Sequence, residues 1–177
     1  PDLRIPFEIC GVTDIFRGSD FSSFAKNIEK GAVVRAVPGP KCGSRAIADR
    51  MNSWAQGEGA PGMGYIIYGE GGGRGPVAKA LGAEKAEAIR VAAGVGDGDA
   101  VFFACAPADD AASLAGRARV KIGQDQDLID KNLFRFAWII DFPMFEADPV
   151  TGKIDFSHNP FSMPQGGMNA LEEQNPL

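Results

Sequence analysis

Two short motifs near the C-terminal end of the chain carry the residue types best suited to hold a ligand. The first is Phe142-Pro-Met-Phe-Glu146, and the second is His158-Asn-Pro-Phe-Ser162, which contains the only histidine of the chain. Proline restricts the backbone at Asn159, and Phe161 can anchor the loop in a core, so the imidazole would be held at the edge of a cleft. His158 is therefore either a ligand-contacting histidine or a structural one.

Other patterns that could do chemistry give weaker signals. Asp141 and Glu146 are five residues apart, so on a strand they would face opposite sides and would not form a simple general acid/base pair. Residues 57–62 match the dinucleotide-binding pattern GxGxxG, but a predicted helix precedes them and a predicted strand follows, which is the reverse of the order that such a site needs. The glycine-rich residues 69–75 lack the lysine of a phosphate-binding loop. They predict a surface loop in which Arg74 either meets a phosphate or is simply solvated.

Composition and charge narrow the class of protein. Of 177 residues, 45% are hydrophobic and 23% are charged, and 18 basic against 23 acidic residues give a net charge of −5. An acidic chain is a poor candidate for phosphate-driven nucleic-acid binding, which needs clustered lysine and arginine, and no basic patch stands out in the sequence. No run of eighteen apolar residues predicts a membrane span, and no signal peptide is recognised.

The cysteines point to a reducing compartment. Cys10, Cys42 and Cys105 are odd in number and widely spaced, and they form no C-x-x-C pair that could hold zinc. We expect free, mostly buried thiols and a cytoplasmic protein.

Hydrophobic periodicity and turn residues predict the elements that must position these motifs. A strand and turn are expected over residues 5–16, and further strands over residues 32–37, 63–68 and 100–105. Helices are expected over residues 22–29, 44–57, 76–93 and 107–122, the second capped by Ser44 and the third opened by Pro76. Short connections favour a two-layer α+β domain with helices on one face of a mostly antiparallel sheet. A polar hinge over residues 125–131 then leads to a long aromatic strand over 134–145, a turn over 148–152 and a return strand over 154–156.

The chain, and its two C-terminal motifs in particular, closely resembles bacterial-type aspartyl-tRNA synthetases, class II enzymes that attach aspartate to tRNA. Residues 1–6 are similar to a linker that follows the second class II motif. Residues 7–130 are similar to an inserted domain, usually called the GAD domain, which is shared with tRNA-dependent amidotransferases. Residues 131–177, with the two C-terminal motifs, are similar to a strand and loop segment of the catalytic domain.

The resemblance implies a fold and an activity. It implies a two-layer α+β insert beside an antiparallel catalytic sheet, in a cytoplasmic homodimer. The implied reaction is activation of L-aspartate by ATP and Mg²⁺, followed by transfer to tRNA-Asp, and whether tRNA-Asn is also charged is left open. The histidine that matches His158 contacts bound aspartate in the family, and a histidine donor helps to distinguish a carboxylate from an amide. Asn159 is given no role, because some relatives carry a second histidine there.

The resemblance also implies that several functional residues of the family lie outside this chain. The phosphate-clamping arginine, the ATP-binding arginine and the acidic Mg²⁺ ligands of the family are expected outside residues 1–177. We therefore expect a fragment with no catalytic, cofactor-binding or metal-binding residue of its own, inactive in isolation. The alternative is a GAD-type tRNA-binding module of an amidotransferase subunit, which would give no reason for the motif at residues 142–146 or for the His158 loop. A purely structural insert is a third option.

Overall fold

The structure is a computed structural model that describes residues 2–140, 143–148, 150–157 and 165–173. It divides into two compact units, Pro1–Arg135 and Phe136–Leu177. Asp141, Phe142 and the His158-Asn-Pro-Phe-Ser162 motif lie outside the described residues.

The first unit is built on a five-stranded sheet in the order β1-β2-β5-β3-β4, and every neighbouring pair is antiparallel. Short connections and β-branched or aromatic residues produce this arrangement, as the sequence predicted. The strands are β1 (Cys10–Gly11), β2 (Val33–Gly39), β3 (Gly64–Gly69), β4 (Gly72–Arg74) and β5 (Ala100–Ala106).

Local signals in the sequence set most of the helix ends. The backbone N–H of Ile47 donates to Ser44 Oγ at 3.3 Å, which caps the third helix as predicted. Pro76 occupies the first turn of the fourth helix, and Gly94 ends the fifth in a left-handed conformation, with φ 63°. Gly82 interrupts the single helix expected over residues 76–93. The helices are α1 (Thr13–Phe16), α2 (Ser22–Glu29), α3 (Arg45–Gly57), α4 (Pro76–Leu81), α5 (Ala83–Ala93) and α6 (Ala108–Asp125).

Helices cover both faces of this sheet. Phe102 packs in a core with α3 and α6, while the next residue, Phe103, packs in a second core with α1, α2, α4 and α5. Successive side chains of a strand point to opposite faces, so every residue from 100 to 104 on β5 is fully buried. The α+β class with an antiparallel sheet is confirmed, and the structure adds a second helical layer to the one expected.

Two sequence predictions in this unit are wrong. Within the glycine-rich residues 69–75, where a loop was expected, Gly72–Arg74 form β4, which pairs with β3 so that Arg74 lies opposite Ile67. A Cβ at Gly73 would lie 3.0 Å from Ile66 Cγ2, so glycine permits close packing in this strand rather than an open loop. The strand expected over residues 5–16 is reduced to the two residues of β1, and Thr13–Phe16 forms a helical turn instead.

Arg119, on α6, ties the N-terminal arm (residues 2–7) to the body of the first unit. Its guanidinium donates to the carbonyl oxygens of Phe7, Asp2 and Ile5 at 2.8, 2.9 and 2.9 Å. Ile5 is buried, and a Cβ placed on Gly123 would lie 3.1 Å from Ile5 and 3.5 Å from Ile129. The arm and the segment that follows α6 therefore lie side by side.

The second unit contains a hairpin of β6 (Phe145–Ala147) and β7 (Ile154–Phe156), followed by α7 (Gly167–Glu173). Asp148 Oδ1 accepts hydrogen bonds from the backbone of Val150 and Thr151 at 2.9 and 2.6 Å, which fixes the predicted turn. The return strand is confirmed. The long aromatic strand expected over residues 134–145 is not, because residues 134–140 form no strand.

Removing the cap of α3 gives a first test of this fold. Ser44→Ala is expected to lower the free energy of unfolding by about 1 kcal/mol, because the Ile47 amide loses its acceptor. Ser53→Ala, at an exposed position inside the same helix, should change stability by less than about 0.5 kcal/mol. Urea unfolding followed by circular dichroism measures both, and equal losses would contradict the capping role.

Candidate functional site

The C-terminal hairpin places Ser157, the residue before the second motif, beside the first motif. The backbone N–H of Ser157, the residue before His158, donates to the Met144 carbonyl at 3.1 Å. Ser157 Oγ also donates to the Pro143 carbonyl. The rings of Phe145 and Phe156 pack with their centroids 5.1 Å apart. The hairpin thus fixes the residue that precedes the histidine loop against the Phe-Pro-Met-Phe-Glu motif, and the predicted role of His158 itself stays a prediction.

Two carboxylate side chains lie on opposite strands of this hairpin. Glu146 lies opposite Asp155 in the strand register, and both residues are exposed. Like charges directly opposite each other repel in a sheet. Glu146 forms no ion pair within the described residues.

An apolar segment precedes the hairpin. Phe136 and Trp138 are 94% and 95% exposed, and Phe134, Ile139 and Ile140 are also exposed. Soluble monomers rarely expose so many large apolar side chains in one short segment, and such a segment is typical of an interaction surface.

A cleft of about 360 Å³ opens beside β3 in the first unit. Tyr65 lies in it, and its hydroxyl donates to Asp49 Oδ1 at 3.3 Å. Burial, and then the neighbouring Asp49 carboxylate, raise the pKa of the Tyr65 hydroxyl, which keeps it protonated as a donor. We call this feature the Tyr65 cleft; it is lined by Gly43, Arg45, Tyr65, Ile67, Arg74, Gly75 and Pro76.

Two arginines line the Tyr65 cleft. Arg45, at the start of α3, lies with its Nε 3.6 Å from Asp49 Oδ2. Arg74, on the edge strand β4, forms no ion pair with any residue that the structure describes. Sequence reasoning singled out Arg74 but missed Tyr65 and Arg45, because nothing in their spacing predicts that α3, β3 and β4 meet at one point.

Comparison with known protein families decides what the first unit is. The model of the GAD domain family matches residues 24–115. The chain belongs to the GAD domain family. The match covers all the strands from β2 to β5 and the whole lining of the Tyr65 cleft, so the cleft is a feature of the GAD domain.

Curated relatives extend the likeness beyond the GAD domain. An aspartate–tRNA(Asp/Asn) ligase of Gluconobacter oxydans is 53% identical over 179 aligned residues, and one of Rhodopseudomonas palustris (strain TIE-1) is 55% identical; each alignment covers 100% of this chain and 30% of the relative. The ligase of Paracoccus denitrificans is 57% identical over 97% of this chain. The chain spans about 30% of the length of these relatives. The resemblance to aspartyl-tRNA synthetases is thereby confirmed.

Among the residues that the structure describes, no group of three or more His, Cys, Asp or Glu side chains could hold a metal ion.

Cys10, Cys42 and Cys105 are free thiols, of which Cys42 is buried. Burial raises the pKa of the Cys42 thiol to about 11, which makes it a poor nucleophile. None of the described helices is long and apolar enough to cross a membrane.

Proposed function

We propose that the chain is the GAD domain and an adjoining catalytic-domain segment of an aspartate–tRNA ligase. The observation that carries the proposal is identity of 53–57% to curated aspartate–tRNA(Asp/Asn) ligases along nearly the whole chain, including both flanks of the GAD domain. A GAD module of an amidotransferase subunit would not account for identity in those flanks. The reaction is activation of L-aspartate with ATP and Mg²⁺, followed by transfer to tRNA-Asp.

The position of the two ends of the first unit supports an inserted domain over residues 7–130. The N-terminal arm and the segment after α6 meet at Ile5, Gly123 and Ile129. A domain whose ends lie side by side can be placed within another domain without separating the strands that flank it. Arg119 holds the arm in this position through three backbone carbonyls.

The exposed aromatic segment supports a catalytic-domain origin for residues 131–177. Phe136 and Trp138 are almost fully exposed, and the remainder of a longer enzyme would bury them. The proposal places this enzyme in the cytoplasm as a homodimer, a compartment in which its three free thiols would stay reduced.

The residues that hold the ATP and Mg²⁺ of this reaction are proposed to lie in the remainder of the enzyme, since the chain spans about 30% of the length of its relatives. ATP supplies the adenylyl group and the pyrophosphate leaving group when it is bound by the rest of the enzyme. Since the chain spans about 30% of its relatives, we expect the 177-residue chain alone to give no ATP–pyrophosphate exchange.

Aspartate-dependent ATP–pyrophosphate exchange by the full-length enzyme tests the proposed function. We expect exchange with L-aspartate and not with L-asparagine or L-glutamate. Charging assays with tRNA-Asp and tRNA-Asn then define the acceptor, because the names of the relatives include both. Absence of aspartate-dependent exchange would overturn the proposal.

His158 is proposed to contact bound aspartate in the full-length enzyme. His158→Ala is expected to raise the KM for aspartate or lower adenylate formation by roughly ten- to a hundredfold, the value of one hydrogen bond to a charged group. Asn159→Ala is the neighbouring control, since Asn159 has no assigned role. Steady-state exchange kinetics with varied aspartate separate KM from kcat, and unchanged kinetics for His158→Ala would refute the assignment.

A further inference from the structure

We propose that the Tyr65 cleft of the GAD domain binds single-stranded RNA, with a base on Tyr65 and the neighbouring phosphates on Arg45 and Arg74. The inference rests on the proposed function for the identity of the natural RNA, a tRNA. It assigns a contact to the GAD domain, for which sequence reasoning left a purely structural role open.

The floor of the Tyr65 cleft offers a surface on which a base can stack. Tyr65 lines the cleft together with the apolar side chains of Ile67 and Pro76. The ring is held from behind by Phe102, with centroids 6.5 Å apart, and at its tip by the hydrogen bond to Asp49. An aromatic ring fixed in this way stacks with any base, which is how sequence-tolerant sites hold single strands.

The walls of the Tyr65 cleft provide positive charge for phosphate. Arg74 has no carboxylate partner among the described residues, so its guanidinium is available to an anion. Arg45 is 86% exposed and lies 3.6 Å from Asp49, a solvent-screened pair that a phosphate can displace. With Asp49 included, the cleft keeps one net positive charge in a domain that is otherwise acidic.

A second, larger cavity lies on the other face of β4, against α4 and α5. That cavity, of about 900 Å³, shares Arg74, Gly75 and Pro76 with the Tyr65 cleft and adds Lys79. At its rim, a Cβ added to Gly71 or Gly72 would meet no atom within 4 Å. Its lining also contains Glu87, whose charge offsets that of Lys79, so the RNA contact is assigned to the Tyr65 cleft alone.

Fluorescence anisotropy with the 177-residue chain and a labelled single-stranded RNA of about 10 nucleotides tests the proposal. Arg74→Gln is expected to weaken binding about fivefold, and to lower the slope of log K against log salt by about 0.7. Tyr65→Leu should weaken binding roughly tenfold, while Tyr65→Phe, which keeps the ring, should stay within about twofold of the original chain.

Arg117→Gln is the matched control, because it removes the same charge near the other end of α3, where Arg117 pairs with Glu58. Thermal unfolding of each variant identifies any that fails to fold. Arg74→Gln is expected to fold normally, because Arg74 is exposed on an edge strand. Selective loss for Arg74→Gln and Tyr65→Leu supports the site. No RNA binding by the original chain, or equal losses in Arg117→Gln, would overturn it. Aspartate-dependent exchange needs no RNA, so failure of the cleft and failure of the proposed function are distinguishable.

Discussion

Replacing Arg119 with methionine is expected to lower the free energy of unfolding of the first unit by about 4 kcal/mol. One guanidinium satisfies the carbonyls of Asp2, Ile5 and Phe7, and each hydrogen bond from a charged donor contributes about 1.5–3 kcal/mol. The full sum is not lost, because the half-buried arginine no longer has to be desolvated and methionine keeps the apolar stem. Guanidinium unfolding followed by tryptophan fluorescence measures the change.

Arg117→Met controls for loss of a charge from the same helix. Arg117 pairs with Glu58 at the surface, and an exposed pair contributes less than about 1 kcal/mol. Hydrogen exchange adds a local readout, since the amides of the N-terminal arm should lose protection in Arg119→Met and keep it in Arg117→Met. Equal destabilisation by the two substitutions would show that the three carbonyl contacts do not hold the arm.

Sequence reasoning found the elements whose signals are local. The cap at Ser44, the proline at the start of α4 and the glycine that ends α5 each act within a few residues, and the structure has all three. The strands β2, β3 and β5 were predicted for the same reason. The apolar run at residues 100–105 also indicated a buried strand, and its lack of alternation was the signal for a second helical layer.

Features that depend on distant partners could not be predicted in this way. Arg119 bonds to carbonyls 112–117 residues away, and a backbone acceptor leaves no mark on the sequence. The glycines of β4 indicated a loop because glycine lowers strand propensity, whereas the structure uses them for close packing against Ile66. The Tyr65 cleft joins residues from α3, β3 and β4, and only the sheet order brings Arg45 and Arg74 to the same tyrosine.

Gly43→Ala is expected to lower the free energy of unfolding by about 3 kcal/mol, although it adds a single methyl group. Gly43 lies just before the cap of α3, and its N–H donates to the Gly98 carbonyl at 2.8 Å. A Cβ at this position would overlap the Gly98 carbonyl group and lie 2.8 Å from Gly98 Cα. The overlapping atoms are backbone, so no side-chain rotation relieves them; either the hydrogen bond lengthens or the start of α3 moves. Urea unfolding with circular dichroism detection measures the loss.

Gly116→Ala adds the same methyl group but is expected to raise the free energy of unfolding. Gly116 lies inside α6, where an added Cβ would meet nothing within 4 Å, and alanine in a helix interior is favoured over glycine by about 1 kcal/mol. The two substitutions should therefore shift stability in opposite directions, because backbone approach decides the first and helix propensity the second. If Gly43→Ala were neutral, the contact between the Gly43 and Gly98 backbones would not be tight in solution. The lining of the Tyr65 cleft that depends on it would then be looser than the structure describes.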